Sequence, residues 1–278
     1  MSLKGEAKDN KLMIDKALEL GVNFFDTADL YNNGANEELI TELLKSHRNE
    51  VIVATKAGNQ ARPDGSGWDW NPRKSYILAA VEKSLKRLKT DRIDLYQLHG
   101  GTIEDPIDET IEAFELLKEQ GKIRYYGISS IRPNVIREYV KRSDIVSVMM
   151  QYSLLDRRPA EECFDLLKQH DISILSRGGL AQGLLVDKPA APYLNWSAEA
   201  IEKAAAAVQQ LTGDKENAAQ TAIRYVLQDE LIASAVIGIR TLAQLEAVAS
   251  ASDLPAFTET ELAVLNQAVS PYFYSDHR

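Results

Sequence analysis

Three apolar runs in this chain end in ionisable side chains. The runs are Asn23-Phe-Phe-Asp26-Thr-Ala28, Val51-Ile-Val-Ala-Thr-Lys56 and Asp94-Leu-Tyr-Gln-Leu-His99, and the groups are Asp26, Lys56 and His99. A fourth group, Tyr31, follows Asp26 in the next loop. If the runs are neighbouring strands about 4.8 Å apart, a carboxylate and an ammonium at one level of adjacent strands can meet. Buried there, each charge needs the other. A phenol beside that ammonium has its anion stabilised and becomes a usable proton donor near neutral pH. A structural ion pair, a satisfied histidine and a packing tyrosine, one of 11 in the chain, would account for each residue singly. Their placement at the same end of consecutive runs points instead to acid–base chemistry.

The elements that must hold these groups alternate. Apolar runs at 22–28, 51–57, 93–99, 123–130, 145–152, 172–177 and 232–238 are mostly continuous, as in parallel strands covered on both faces. Helical periods lie between them. Ile77, Val81, Leu85 and Leu88 share one helix face, as do Ile107, Ile111, Phe114 and Leu117, and Leu242, Leu245 and Val248 repeat the spacing. Asn71-Pro72 and Asp105-Pro106 mark helix starts, and Gly121 marks a helix end. Such alternation predicts parallel βα units. Seven strands are visible; an eighth would close a (β/α)8 barrel, and an open doubly wound sheet is the rival. No Pro/Gly/Ser linker divides the chain, so residues 1–278 read as a single domain. Barrel enzymes build their sites at the C-terminal strand ends, where Asp26, Lys56 and His99 stand.

The chain of 278 residues is 45% hydrophobic and 26% charged, an ordinary globular composition. Its net charge of −9 makes it a poor partner for nucleic acid. No run approaches the ~18 apolar residues of a membrane span, and the polar start is no secretory signal. One cysteine, Cys163, excludes a disulfide framework and fits the reducing cytoplasm. No spacing resembles a zinc or calcium site, and no G-x-G-x-x-G supports a Rossmann site.

Anionic ligands must therefore meet local groups. Arg177-Gly-Gly-Leu-Ala-Gln-Gly183 would bring backbone N–H groups beside a pyrophosphate, unless it is only a flexible turn. Gly238-Ile-Arg240-Thr-Leu-Ala-Gln244 opens a helix with an arginine beside its N-terminus, a phosphate site on physical grounds. Trp68 and Trp70, in the glycine-rich loop after the second run, either line a pocket or cover the barrel mouth. Asp156-Arg157-Arg158 reads as a solvated loop, His47, His170 and His277 as surface residues, and Cys163 as buried and inert.

Gly21-Val-Asn-Phe-Phe-Asp-Thr-Ala-Asp-Leu-Tyr31, Ala54-Thr-Lys56 and Asp94-Leu-Tyr-Gln-Leu-His99 resemble the aldo-keto reductases, in order and over nearly the whole chain. The branch it is most similar to is bacterial, with Gln97-Leu-His-Gly-Gly-Thr102 and Tyr126-Gly-Ile-Ser-Ser-Ile-Arg-Pro133. The resemblance implies a (β/α)8 barrel that reduces small aldehydes or ketones with NADPH, or runs the reverse oxidation. It implies Tyr31 as general acid, Lys56 as the cation that activates it, Asp26 as holder of Lys56, and His99 as guide for the carbonyl. It assigns the nicotinamide carboxamide to Ser129, Ser130 and Gln151. It assigns the ring and pyrophosphate to Arg177, Gly178, Leu180, Gln182 and Gly183, with Arg177 where an aromatic usually stacks. It assigns the adenosine 2′-phosphate and adenine to Gly238, Arg240 and Gln244, while Ala247-Val248 replaces a usual Glu-Asn. Against the family pattern, an N-terminal hairpin and most of strand 1 are missing before Met1-Ser2-Leu3, and the segment after Gly183 is short. Two other functions share these residues: a non-catalytic NADPH sensor, and a Schiff-base aldolase with Lys56 as nucleophile.

Overall fold

The computed structural model describes residues 7–214 and 216–278. The expected remnant of strand 1 at Met1-Ser2-Leu3 lies outside the described residues. Two compact units emerge, the first reaching Met149 and including His170–Ile172 and His277, the second holding Met150–Gln169, Ser173–Asp276 and Arg278.

In the first unit the order is α1 (Ala7–Glu19), β1 (Phe24–Asp26), α2 (Ala35–Leu44), β2 (Ile52–Ala57), a hairpin of β3 (Asn59–Ala61) and β4 (Trp68–Trp70), α3 (Lys74–Leu88), β5 (Ile93–Leu98), α4 (Ile107–Glu119), β6 (Ile123–Ser129), α5 (Pro133–Arg142) and β7 (Ser147–Gln151), which runs into the second unit. β1, β2, β5, β6 and β7 pair in that order, all parallel. Every residue of β5 is buried, which a strand covered on both faces requires. Its one carboxylate, Asp94, accepts the Val53 amide at 3.0 Å and pairs with Arg48 at 2.7 Å. The expected helix faces are the buried ones: Ile77, Val81, Leu85 and Leu88 on α3, and Ile107, Ile111, Phe114 and Leu117 on α4. Phe114 lies between the rings of Tyr96 and Tyr126, with centroids at 5.6 and 5.3 Å.

The second unit continues with α6 (Arg158–Glu162), α7 (Phe164–Gln169), β8 (Ser173–Arg177), α8 (Ala198–Gln210), α9 (Ala218–Val226), β9 (Ile232–Val236), α10 (Leu242–Val248) and α11 (Glu259–Ala268). β8 and β9 pair in parallel. Caps start its helices: Ser197 on α8, and reciprocal boxes of Asn217 with Gln220 and Thr258 with Glu261 on α9 and α11. Leu154, Leu184, Ile201, Val208, Tyr225 and Leu265 centre its core.

All seven apolar runs hold a parallel strand. The segment read as a glycine-rich loop is instead the antiparallel β3–β4 hairpin, because Asn59, Gln60 and Ala61 find partners in Trp70, Asp69 and Trp68. The segment read as solvated, Asp156-Arg157-Arg158, is also different. Asp156 is 1% exposed and carries a two-pronged bond from Arg158, at 2.7 and 2.8 Å.

Candidate active site

Asp26 ends β1 and is in register with Ala54, not with Lys56. Lys56 stands two residues further along β2, on the same face, in register with Gln97. The levels therefore differ from the expectation, and the long lysine stem bridges the gap. Lys56 Nζ donates to Asp26 Oδ2 at 2.5 Å and to the Thr27 carbonyl at 2.8 Å. Gln97 Nε2 donates to the other oxygen, Asp26 Oδ1, at 3.4 Å. Lys56 is 1% exposed, so its charge depends on these partners.

Tyr31 enters from the loop after β1. Its amide donates to the Ala28 carbonyl, and Asn32 and Asn33 follow with φ of 50° and 52°, a left-handed turn that asparagine tolerates. The loop is tied down from below by buried side chains. Thr27 Oγ1 donates to Asn36 Oδ1 at 2.7 Å, while Glu37 accepts from Thr55 Oγ1 and from Arg87 Nε, both at 2.6 Å. The Tyr31 ring then lies with its centroid 5.4 Å from Lys56 Nζ and meets the His99 ring edge-on, centroids 5.8 Å apart. Tyr31 is 38% exposed above the buried Lys56 and the half-buried His99. A phenol reachable from outside, over a desolvated ammonium and beside an imidazole, can pass a proton to a bound oxygen.

His99 follows β5, its amide donating to Ala57 at 2.8 Å and its carbonyl accepting from Asn59 Nδ2 at 3.2 Å. Trp70 braces that turn. Its Nε1 donates to Asp105, and Gly58, at φ +128°, has no room for a side chain, since a Cβ there would fall 2.6 Å from the indole. Trp68 is exposed. The four expected catalytic groups are thus one cluster. Gln97, Asn36, Glu37 and Arg87, which hold it, escaped the sequence reading, because nothing in a strand or helix pattern marks a buried polar residue as a support. Asp29, in the same loop, also went unmarked. Its carboxylate accepts from Tyr76 at 3.2 Å beside a cavity of about 520 Å³, and burial, then the nearby Glu37 charge, push its pKa up to about 7.

Of the residues assigned to a carboxamide, Ser129 and Ser130 stand at the C-terminal end of β6, where Ser130 Oγ accepts the Arg132 amide at 3.1 Å. Within the second unit, Gln151 ends β7 and Arg177 ends β8, and Arg177 donates to Gln151 Oε1 at 3.0 Å. Gly178, at φ +76°, lies against Gln151, and a Cβ there would stand 3.2 Å from its Cγ. Two N–H groups of the glycine loop are engaged internally, Ala181 with the Gly178 carbonyl and Gly183 with the Leu180 carbonyl. The Leu180 side chain packs on the core, and Gln182 is exposed. Gly238, Arg240 and Gln244 are exposed, and the Gln244 amide oxygen accepts the Arg240 amide at 2.9 Å. Thr241 caps α10 as expected, and that helix has only seven residues.

Among the described residues no three His, Cys, Asp or Glu side chains gather as a metal site, and no helix is long and apolar enough to cross a membrane. Cys163 is buried, and His170 and His277 are exposed.

Residues 4–270 match the model of the aldo/keto reductase family. The uncharacterized oxidoreductase YqkF of Bacillus subtilis is 48% identical over all of this chain and 93% of its own length. The NADH-specific methylglyoxal reductase of Escherichia coli is 33% identical over 69% of this chain and 64% of its own. The holo form of the aldo-keto reductase AKR11C1 from Bacillus halodurans superimposes with a TM-score of 0.92 at 46% identity, over all of this chain and 92% of that one. A likeness of that extent establishes the expected fold class, the (β/α)8 barrel.

Proposed function

As a member of the aldo/keto reductase family, a family of nicotinamide-dependent oxidoreductases, the chain is an oxidoreductase, and we propose that it moves a hydride between NADPH and a small aldehyde or ketone. The observation that carries this reading is the Tyr31 ring, partly exposed, over the buried Lys56–Asp26 pair. The chemistry of the donors suits the cofactor: an amide on Gln151, hydroxyls on Ser129 and Ser130, and the Arg240 guanidinium. When bound, the nicotinamide supplies the hydride. Tyr31 gives its proton to the carbonyl oxygen and passes through a phenolate. Lys56 stabilises that phenolate, Asp26 holds Lys56 in place, and His99 steers the carbonyl oxygen toward the phenol.

Arg240 supports NADPH over NADH, because its fork of donors suits a 2′-phosphate that NADH lacks. The Escherichia coli relative, named for NADH, makes cofactor choice a matter for measurement. The reading takes the chain as one barrel domain acting in the cytoplasm on a free small molecule, with neither nucleic acid nor membrane as partner.

The aldolase alternative loses ground. Lys56 donates to Asp26 and Thr27, and an ammonium so engaged has no lone pair for attack on a carbonyl. A sensor would bind NADPH without turnover. A panel of aldehydes and ketones with NADPH, followed by cofactor absorbance, separates these. Tyr31→Phe should lower kcat by about 10²–10⁴-fold, the usual worth of a proton donor, with NADPH affinity kept. A variant retaining more than about a tenth of kcat would remove Tyr31 from the role.

A further inference from the structure

The Gln151 amide is held in one orientation. Its Nε2 donates to Asp156 Oδ2 at 2.9 Å and to the Tyr193 hydroxyl at 3.2 Å, and its Oε1 accepts from Arg177 at 3.0 Å. A carboxylate only accepts and a guanidinium only donates, so the amide cannot be turned over without losing both. Both N–H groups are engaged, and the carbonyl oxygen keeps one lone pair. Asp156 returns beside Gln151 through a tight turn in which Ser153 and Asp156 exchange backbone hydrogen bonds. Its charge is matched by the two-pronged bond from Arg158. That guanidinium lies 4.9 Å from the Tyr272 ring centroid and 4.7 Å from that of Tyr274, both in the C-terminal segment. Tyr272 meets Trp196 edge-on at 5.4 Å, and Trp196 Nε1 donates to the Leu155 carbonyl, next to Asp156.

We propose that Asp156 is a positioning residue for the cofactor: held by Arg158 against Tyr272 and Tyr274, it turns the Gln151 amide so that Gln151 meets the nicotinamide carboxamide only as an acceptor from its N–H. The proposal rests on the reading that Gln151 holds the nicotinamide. The C-terminal segment thereby acts on cofactor affinity through Arg158 and Asp156.

The test is NADPH titration of the full chain by fluorescence. Gln151→Leu checks the underlying reading and should weaken binding about tenfold, roughly the worth of one hydrogen bond; no change would end both the reading and the proposal. Asp156→Asn should weaken binding about five- to twentyfold, since the new amide can donate where Gln151 also donates. Gln151→Glu should weaken it as well, by setting two carboxylates side by side. The double variant should recover to within about threefold of the parent, because Asn at 156 can donate to Glu at 151 while the acceptor toward the carboxamide is kept. A merely structural role predicts no recovery, only compounded loss. Full affinity in Asp156→Asn while Gln151→Leu binds weakly would overturn the positioning role alone. If Asp156→Asn does not fold, Tyr272→Leu with Tyr274→Leu takes its place; weaker binding by about threefold is expected, and unchanged binding overturns the proposal.

Discussion

Replacing Asp26 by asparagine should cost more stability than its small change in shape suggests. Lys56 is 1% exposed and the Asp26 side chain 9%, so the pair is desolvated. Removing one partner of such a pair typically costs about 3–5 kcal/mol, because the other charge stays buried without compensation. Lys56 would keep the Thr27 carbonyl at 2.8 Å and the Tyr31 ring at 5.4 Å, which places Asp26→Asn near the lower end, at about 3 kcal/mol. Lys56→Met removes the short bond at 2.5 Å but keeps the Gln97 bond at 3.4 Å, and Asp26 has more access to water than Lys56, so its cost should be similar or slightly smaller. The double variant removes both charges, and uncharged replacements of buried pairs are often nearly neutral, so its cost should be about 1–2 kcal/mol. Urea denaturation reads these differences directly; a loss of about 3 kcal/mol moves the midpoint by about 1–2 M at a typical slope. Activity should separate from stability. Lys56→Met and the double variant should both fall by about 10²–10⁴ in kcat, although the double is the more stable, because the cation that supports Tyr31 is gone. Asp26→Asn should lose less, since Lys56 keeps its charge. Single-variant costs that simply add in the double variant, within about 0.5 kcal/mol, would refute a shared desolvated pair.

Two further outcomes are expected. Arg240→Ala should weaken NADPH by about 1.5–3 kcal/mol, roughly ten- to a hundredfold, with NADH little changed, as titration of both cofactors would show; equal losses would make Arg240 structural and end its assignment to the 2′-phosphate. Asp29, pushed up to about 7 by burial and by Glu37 against the lowering pull of the Tyr76 hydroxyl and Arg87, stays protonated in the native state where the unfolded chain has released its proton. Stability should therefore fall as pH rises from about 4 to about 7, by up to roughly 4 kcal/mol for a shift of this size. Asp29→Asn, which keeps an acceptor for Tyr76, should remove that slope and leave the protein more stable at pH 8; denaturation curves of variant and parent that run parallel across this range would contradict the assignment.

The strands and principal helices were legible because their signals are local. An unbroken apolar run such as Val148–Met150 has few solutions other than a strand covered on both faces, and Ile77, Val81, Leu85 and Leu88 can only be buried together on one helix face. Ionisable residues at the ends of successive runs mark Asp26, Lys56 and His99 as sharing one end of the strands. The β3–β4 hairpin was not legible, since its strands are three residues long and are held by cross-strand partners rather than by an alternating pattern. Nor was the buried state of Asp156 and Arg158, whose charges read as solvated when their partners are unseen. The sequence by itself determined the order of βα units, the identity of the four chemical groups and the end of the strands at which they stand. Only the tertiary structure decided that Asp26 is level with Ala54, so that Lys56 must reach back to it, and that Gln151 is held by Asp156 and Arg177. Registers and charge partners are set by residues far apart along the chain, and local periodicity carries no information about them.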